Sequence, residues 1–398
     1  MNDLTTPWGE YVLTRYPEDP RDPLRAWDGA DAYALEHLAE TGADLTGPTA
    51  VLGDRWGALT TALAGARIEQ LATGRLVQIT DSYLTQCATR ANLNRAGIGH
   101  EAVRLASTLA TPPQRLDVLV VRVPKSLGLL EDQLHRLAPA LHPGTLVVGT
   151  GRTTEIHTST LSLFTDILGP TRTTLARRKA RLILTTPAAD RVGAAAAGTA
   201  APWPVRYELP RDTGPLAGRT VVAHAGVFSA ERLDIGTRFF LRHLPERHGP
   251  DHVVDLGCGN GVVGTAAALA NPRARVTFVD ESYGALASAD ATYRLNLASP
   301  QEPAAAADFV LGDGLAGTPP GSVDLVLNNP PFHSHQATSD STARRMFAGA
   351  RSALRPGGEL WVVGNRHLGY HAKLRRLFGN CEVAASDPKF VVLRCVKN

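Results

Sequence analysis

Short apolar runs recur along this chain, separated by polar, glycine-rich or proline-rich segments. In the C-terminal half these runs cover residues 253–256, 276–279, 309–311 and 323–328. Apolar runs that stop at Gly, Pro, Asn or Asp are typical of strands buried on both faces of a parallel sheet. The apolar segment 262–269 predicts a helix after the first run. The pattern therefore predicts an α/β fold built on an open, Rossmann-like sheet.

Each of the four predicted strands ends at glycine or polar residues. Glycines follow the first strand at 257–261, Asp280 ends the second, Gly312-Asp313 ends the third, and Asn329-Pro330-Pro331-Phe332 ends the fourth. In an open α/β sheet, ligands bind at the carboxyl ends of the strands. The sequence therefore predicts one ligand site along this edge.

The glycine segment is compatible with two kinds of cofactor. Residues 259–264 match G-x-G-x-x-G, and Asp280 follows about 20 residues later, as in dinucleotide-binding proteins. Asp255, however, precedes the glycines in the order D-x-G-x-G-x-G, which favours S-adenosylmethionine. Asp280 is then expected at the ribose hydroxyls and Asp313 at the adenine amine. The predicted cofactor-binding residues are Asp255, Gly257, Cys258, Gly259, Gly261, Asp280, Glu281, Asp313 and Asn329.

The motif at 329–332 combines groups that suit a flat ring with an exocyclic amine. The side-chain oxygen of Asn329 and the carbonyl of Pro330 can both accept hydrogen bonds from one –NH₂ group. Proline lacks the N–H that a central strand needs, so Pro330 and Pro331 fit a strand end. Phe332 offers a face for base stacking, worth about 1–3 kcal/mol per base. Asn329, Pro330 and Phe332 are the predicted catalytic residues.

The first half of the chain repeats the pattern of the second. Residues 51–57 align with the glycine segment 255–261, 79–83 with 279–283, and 142–149 with 355–364. A unit this long is too large for a solenoid repeat. The sequence predicts two tandem class I methyltransferase-fold domains: a degenerate domain at 1–186, an Ala-rich linker at 187–202 and a catalytic domain at 203–398.

The two copies differ at the positions where chemistry is expected. In the first copy, Asp54, Arg55 and Trp56 fill the glycine segment, and residues 123–126 (Val-Pro-Lys-Ser) replace the Asn-Pro-Pro-Phe motif. We therefore expect the first copy to keep the fold, to lose cofactor binding and catalysis, and to serve RNA recognition or stability. The candidate RNA contacts in this half are basic residues: Arg122, Lys125, Arg177, Arg178 and Lys179. A solvated loop is the alternative for Arg122 and Lys125, and a solvated face, the commoner role of charge runs, is the alternative for 177–179.

Composition indicates how RNA can be bound and which cellular compartment is expected. The 398 residues are 43% hydrophobic and carry a net charge of only +3, so RNA binding must come from local basic patches. The four cysteines show no C-x-x-C spacing, which favours a reducing cytoplasm over a disulfide framework or a zinc site. The polar N-terminus predicts no signal peptide, and no apolar run approaches the ~20 residues of a membrane helix. His333 and His335 are expected to be solvated rather than metal-bound.

The segment before the second glycine loop is expected to cover the cofactor or the base. Residues 220–229 predict a strand in a hairpin with 203–209, and 233–240 predict the start of a helix. Asp234 is a candidate N-cap of that helix. A plain capping role remains open for this aspartate.

Taken together, these motifs resemble the bacterial ribosomal RNA guanine-N2 methyltransferases, the group of small-subunit methyltransferase C and large-subunit methyltransferase G. The resemblance covers nearly the whole chain and is stronger to the large-subunit branch. It is carried by residues 23–28, Lys125, 155–161, 169–171, 227–229, 233–236, 329–333, 365–368 and 378–381. The resemblance adds Phe228 and Arg366 to Pro331 and Phe332 as candidate substrate-binding residues.

The resemblance implies methyl transfer to the exocyclic amine of one guanine in 23S rRNA, with only the C-terminal domain catalytic. A guanine inside a helix would first be flipped out of the stack. The alternatives are a 16S rRNA guanine-N2 methyltransferase and an adenine-N6 or protein-glutamine methyltransferase, which use similar motifs. A non-catalytic RNA-binding assembly factor is a further alternative. A dehydrogenase is disfavoured because it gives residues 329–332 no role.

Overall fold

Two α/β sheets with the same strand order build the fold, one in each half of the chain. The computed structural model describes residues 3–19, 22–66, 76–199, 201–297, 306–331 and 336–398. It divides into two units, Met1–Pro202 and Trp203–Asn398. This confirms the predicted α/β fold and its duplication.

The first unit holds a small hairpin and a seven-stranded sheet. Its strands are β1 (Asp3–Thr6), β2 (Gly9–Val12), β3 (Thr49–Leu52), β4 (Leu76–Thr80), β5 (Val103–Ser107), β6 (Val118–Arg122), β7 (Leu146–Arg152), β8 (Thr171–Thr173) and β9 (Ala180–Thr185). Its helices are α1 (Gly29–Glu40), α2 (Ala58–Ala66), α3 (Tyr83–Arg95), α4 (Leu127–Leu137) and α5 (Thr158–Ile167). The sheet order is β5-β4-β3-β6-β7-β9-β8.

The second unit repeats this plan. Its strands are β10 (Val205–Glu208), β11 (Thr220–Ala223), β12 (His252–Leu256), β13 (Arg275–Asp280), β14 (Ala306–Leu311), β15 (Val323–Asn328), β16 (Leu354–Asn365), β17 (Glu382–Ser386) and β18 (Phe390–Val396). Its helices are α6 (Ile235–Leu241), α7 (Val262–Ala270), α8 (Tyr283–Leu297), α9 (Gln336–Ala353) and α10 (Tyr370–Phe378). The sheet order is β14-β13-β12-β15-β16-β18-β17, with β18 antiparallel to both neighbours.

The central strands are apolar because helices cover both faces of the sheet. In β15, Val323 and Val326 pack into the core on one face, while Leu325 and Leu327 pack into the core on the other. Continuous apolar runs are the expected composition of such doubly covered strands. The predicted strands, the helix after the glycine loop and the β10–β11 hairpin are all present.

The strand register aligns the two copies residue by residue. Leu52, before the first glycine of the first copy, lies opposite Val121. Leu256, before the first glycine of the second copy, lies opposite Asn328. Val121 therefore corresponds to Asn328, and Arg122 occupies the position of Asn329, the asparagine of the Asn-Pro-Pro-Phe motif. The sequence alignment, which began the equivalent segment at residue 123, was wrong by one residue because it lacked this register.

The Ala-rich segment 187–202 was interpreted as a linker, but part of it belongs to the first unit. A short 3₁₀ helix covers Gly193–Ala196. Val192 and Ala196 are 3% and 7% exposed and pack into the core of that unit. Alanine is small enough to pack closely against neighbouring backbone, so an Ala-rich composition is compatible with burial as well as with flexibility. The interpretation as a free linker is wrong for this part.

A candidate methyltransferase site at the carboxyl edge of the second sheet

The glycine loop between β12 and α7 is held in a left-handed conformation. Gly257, Gly259 and Gly261 have φ values of +72°, +53° and +76°, which residues other than glycine rarely adopt. A Cβ added at Gly261 would lie 2.7 Å from Cα of Ala289 on α8. A Cβ added at Gly259 would meet no atom of the described residues within 4 Å. Gly261 is therefore required by packing, whereas Gly259 lines open space at the edge of the sheet.

Asp255 is buried beneath this loop and binds backbone. Its Oδ2 accepts a hydrogen bond from the Gly264 N–H at 2.7 Å. Burial raises the pKa of Asp255 to about 7, against the effect of the Gly264 N–H. The contact ties the end of β12 to the first turns of α7. The structure thus places Asp255 beneath the loop, where it fixes the loop's shape.

Asp280 lies at the mouth of the glycine loop. Its Oδ2 accepts from the Gly259 N–H and its Oδ1 from the Ser282 N–H, both at 3.0 Å. Desolvation raises the pKa of this carboxyl, and those backbone N–H groups oppose the rise. Backbone N–H groups of Gly259, Ser282 and Glu281 all bond to this carboxylate. It has about four lone-pair positions and so retains capacity for about one more donor. That capacity and the adjacent glycine surface fit a ribose hydroxyl.

The remaining predicted cofactor residues surround this point. Cys258 is buried, and burial raises the pKa of its thiol well above the ordinary value. Glu281 is half-buried directly after Asp280. Asp313 forms an ion pair with Arg345 of α9. A ligand amine that binds here must therefore share the Asp313 carboxylate with the Arg345 guanidinium.

The end of β15 presents two asparagines with unpaired carbonyl oxygens. Asn328 is fully buried and donates through Nδ2 to the Leu256 carbonyl at 2.7 Å, which joins β15 to the glycine loop. Asn329 donates through Nδ2 to Thr237 Oγ1 at 2.9 Å. The Oδ1 atoms of both asparagines are buried and accept no hydrogen bond from the described residues. A buried polar atom without a partner is costly and often has a catalytic or ligand-binding role.

The proline pair after Asn329 divides between interior and surface. Pro330 is buried and Pro331 is exposed. Phe332, His333 and His335 lie outside the described residues, so their predicted roles stay predictions. Within the described ranges, no cluster of His, Cys, Asp or Glu has the geometry of a metal site.

The segment after β11 reaches the glycine loop through Asn260. The Nδ2 of Asn260 donates to the Ser229 carbonyl and to the Tyr207 hydroxyl, each at 3.3 Å. The Tyr207 hydroxyl donates to the same carbonyl at 3.1 Å. Ser229 has a φ of +59°, and the neighbouring Phe228 is 49% exposed. These contacts place Phe228 in a segment that is tied to the glycine loop.

At the end of β16, a predicted site residue lies beside one that was not predicted. Arg366, a predicted substrate-binding residue, is exposed and donates to the Asp387 carbonyl at 3.2 Å. Asn365, which the sequence analysis names only within the resemblance, has a buried Oδ1 without a partner among the described residues. Its place at a central strand end, next to β15, is the signal that would have found it.

The equivalent edge of the first unit is occupied by the protein's own charges. Arg122 is fully buried and pairs with Asp28 at 3.0 Å, Asp31 at 3.2 Å and Glu155 at 2.8 Å. Burial raises the pKa of Asp31 to about 7, whereas the Arg122 charge and several hydrogen bonds lower the pKa of Glu155 to about 2, against desolvation. The prediction that Arg122 contacts RNA is therefore wrong, because its guanidinium is buried and already paired with these three carboxylates.

The other basic candidates lie on the surface of the first unit. Lys125 is exposed after β6, and Lys179 is exposed in the turn before β9. Arg177 pairs with Glu40 at 3.3 Å and Arg178 pairs with Glu36 at 2.7 Å. Exposed pairs of this kind contribute only about 0–1 kcal/mol, so an RNA phosphate can compete for both arginines.

No helix in the described part of the chain is long and apolar enough to cross a membrane.

Two family models match the chain: the RLMG N-terminal domain over residues 1–189 and the Methyltransferase small domain over residues 218–394.

Curated relatives match the chain over its whole length. The Ribosomal RNA large subunit methyltransferase G of Streptomyces avermitilis is 65% identical over 398 residues and covers 100% of both chains. The protein of the same name from Pseudomonas aeruginosa strain UCBPP-PA14 is 45% identical, with 99% of each chain covered.

A solved structure shares the two-sheet fold. The T. thermophilus 16S rRNA N2 G1207 methyltransferase, determined with AdoMet and guanosine, aligns with a TM-score of 0.73 at 21% identity. The alignment covers 100% of this chain and 97% of that one. From these matches, the chain belongs to the ribosomal RNA large subunit methyltransferase G family of S-adenosylmethionine-dependent methyltransferases.

Proposed function

We propose that this chain methylates the exocyclic N2 amine of one guanine in 23S ribosomal RNA, in the cytoplasm. The second unit carries the reaction, and the first unit contributes RNA contacts and stability. The 23S assignment is supported by the relatives, which are named large-subunit methyltransferases and match the full length. The single observation that supports amine chemistry is the buried Oδ1 of Asn329 at the end of β15, which has no hydrogen-bond partner among the described residues.

The residues present fit S-adenosylmethionine. The open side of Gly259 admits a ligand close to the backbone, and the Asp280 carboxylate keeps acceptor capacity for a ribose hydroxyl. The N-terminus of α7 follows the loop and favours a carboxylate. When bound, S-adenosylmethionine supplies an electrophilic methyl group, so the protein needs no nucleophilic side chain of its own.

The task of the chain is to orient a poor nucleophile. The lone pair of the guanine amine is delocalised into the ring. Hydrogen bonds from its two N–H groups to Asn329 Oδ1 and the Pro330 carbonyl favour a pyramidal nitrogen and direct its lone pair outward. Holding two reactants in position in this way accounts for a large share of enzymatic acceleration.

Substrate recognition is proposed for residues around this point. Pro331 and Phe228 are exposed beside the edge, and Arg366 follows the next strand. Phe332 is proposed to stack on the flipped base. In the first unit, Lys125 and Lys179 are proposed to contact the RNA backbone.

The test is a methyl-transfer assay with labelled S-adenosylmethionine and three substrates: protein-free 23S rRNA, protein-free 16S rRNA and assembled subunits. We expect N2-methylguanosine in 23S rRNA only. Label in 16S rRNA would contradict the large-subunit assignment. Label in adenine or in protein would contradict guanine as the target, and cofactor binding without transfer to any substrate would favour a non-catalytic RNA-binding role.

A further inference from the structure

The amide of Asn329 is held from behind by a residue that sequence reasoning did not single out. Thr237 lies in the first turn of α6, 92 residues before Asn329 in sequence, and is 8% exposed. Its Oγ1 accepts the hydrogen bond from Asn329 Nδ2 at 2.9 Å. An asparagine side chain has one donor end and one acceptor end, so this contact determines which end is left for the substrate.

Thr237 is itself oriented by the cap of its helix. Asp234, the N-cap of α6, accepts the Thr237 N–H at 2.9 Å and the Thr237 hydroxyl at 3.4 Å through the same Oδ2. With its proton directed to Asp234, the hydroxyl presents lone pairs to Asn329. The chain of contacts therefore runs from the cap carboxylate through the hydroxyl to the amide NH₂ group. It leaves Asn329 Oδ1 without a partner in the described part of the chain.

The first unit shows the same arrangement with different chemistry. Helix α1 has Asp28 as N-cap and Asp31 in its third position, as α6 has Asp234 and Thr237. Arg122, which occupies the position of the catalytic asparagine, binds both Asp28 and Asp31. In both copies, then, the third residue of the capped helix contacts the side chain at the equivalent end of the fourth strand. The contact is a property of the duplicated fold, and its chemistry has diverged between the copies.

We infer that Thr237 is a positioning residue for methyl transfer, one that fixes the amide of Asn329 with its oxygen toward the target amine. Without the hydroxyl, the amide loses its anchor and can rotate by half a turn. It would then present NH₂ to the guanine NH₂, two donors that cannot bond to each other. The inference rests on the proposed function for its substrate, but the hydrogen bonds that support it are independent of which RNA is methylated.

The test compares Thr237→Val, which removes the hydroxyl at nearly constant shape, with Thr237→Ser, which keeps the hydroxyl. Single-turnover transfer is measured with the full chain at saturating S-adenosylmethionine on whichever RNA the wild type methylates. We expect Thr237→Val to lower the transfer rate at least tenfold with cofactor affinity within twofold of wild type. Thr237→Ser should stay within about threefold of wild type.

Thr265→Val is the matched control. Thr265 is fully buried in the second unit, but its hydroxyl has no partner among the described residues. Replacing an unpaired buried hydroxyl by a methyl group is nearly neutral, so this variant should transfer at the wild-type rate. Wild-type transfer by Thr237→Val, or equal loss in Thr237→Val and Thr237→Ser, would overturn the inference.

A folding defect is distinguished by melting each variant. If Thr237→Val melts well below Thr265→Val, the comparison moves to Thr237→Ser against Thr237→Ala, which both lack the methyl group and differ in the hydroxyl. A slow Ala variant beside a fast Ser variant supports the inference, and equal rates overturn it. The proposed function is tested separately, by identifying the base that the wild-type chain methylates. A base other than guanine would contradict the proposed function without bearing on the contact between Thr237 and Asn329.

Discussion

Adding one methyl group at Gly259 should weaken cofactor binding, and adding one at the matched Gly357 should affect stability alone. Gly259 and Gly357 both have left-handed backbone, with φ values of +53° and +78°. Across the described ranges of the chain, an added Cβ at either would meet nothing within 4 Å. Gly259 lies in the proposed cofactor site. Gly357 lies early in β16, away from the carboxyl edge of the sheet.

Alanine at either position has the same backbone cost. A left-handed conformation costs a non-glycine residue roughly 1–2 kcal/mol, which for a unit of about 200 residues lowers the melting temperature by roughly 2–8 °C. Only at Gly259 does the new methyl group also enter the space proposed for the cofactor. Overpacking costs about 1–3 kcal/mol, and about 1.4 kcal/mol is a tenfold change in affinity.

The assay is titration calorimetry with S-adenosylhomocysteine, together with thermal melting of the same samples. We expect Gly259→Ala to bind at least tenfold more weakly than Gly357→Ala, while the two variants melt within a few degrees of each other. Gly261→Ala should melt lower than both, because its Cβ would lie 2.7 Å from the α8 backbone. Equal affinity in Gly259→Ala and Gly357→Ala would refute the placement of the cofactor at the glycine loop.

Three further predictions concern charge and burial. Arg122→Met leaves three carboxylates without their buried partner and should lower the free energy of unfolding of the first unit by about 3–5 kcal/mol. Arg115→Met, at an exposed pair, should lower it by less than about 1 kcal/mol, and urea unfolding measures both. Because the pKa of Asp255 is raised to about 7, the folded chain keeps a proton that the unfolded chain releases above about pH 4, so stability falls as pH rises from about 4 to 7. Asp255→Asn should therefore gain stability relative to wild type across that window, by about 1.4 kcal/mol for each pH unit between the folded and unfolded pKa values, and melts that stay parallel from about pH 4.5 to 7.5 would contradict this. Lys125→Ala should weaken RNA binding equally for all sequences and reduce the salt slope of the affinity by about 1, measured by filter binding over a series of salt concentrations; an unchanged slope would exclude a phosphate contact.

The sequence predicted the sheet well because its central strands are buried on both faces. A strand such as β15 must then be apolar throughout, and only its ends can carry polar side chains. The strand ends that carry Asp280 and Asn329 could therefore be located from hydrophobicity alone. The repeat made the second sheet a copy of the first, and the structure confirms the same strand order.

Sequence reasoning failed where the partner of a side chain is distant in sequence. Arg122 was taken for a surface cation, since its three carboxylate partners come from other elements of the fold. Thr237 was overlooked for the same reason, because its contact with Asn329 spans 92 residues. Alignment of the two copies through their helix caps would have paired Asp31 with Thr237, and it is the strand register that pairs Arg122 with Asn329. The duplication therefore contained information that element prediction alone did not use.

The exposed basic residues show a further limit of sequence reasoning. Arg177 and Arg178 form a charge run in sequence, but in the fold they face Glu40 and Glu36 on α1. Their availability to RNA depends on the competition between phosphate and carboxylate, and a sequence does not record that competition. Lys125 and Lys179, which are exposed, remain the simpler candidates.

The central claim is that Asn329 orients the target amine at the edge where the cofactor binds. It is tested most directly by single-turnover methyl transfer to 23S rRNA by Asn329→Ala, with cofactor affinity measured on the same preparation. Removing one preorganised hydrogen-bonding group from an active site typically costs about 100- to 1000-fold in rate. The account predicts a loss of that size with cofactor affinity within twofold of wild type. Transfer of N2-methyl groups at the wild-type rate by Asn329→Ala would contradict it.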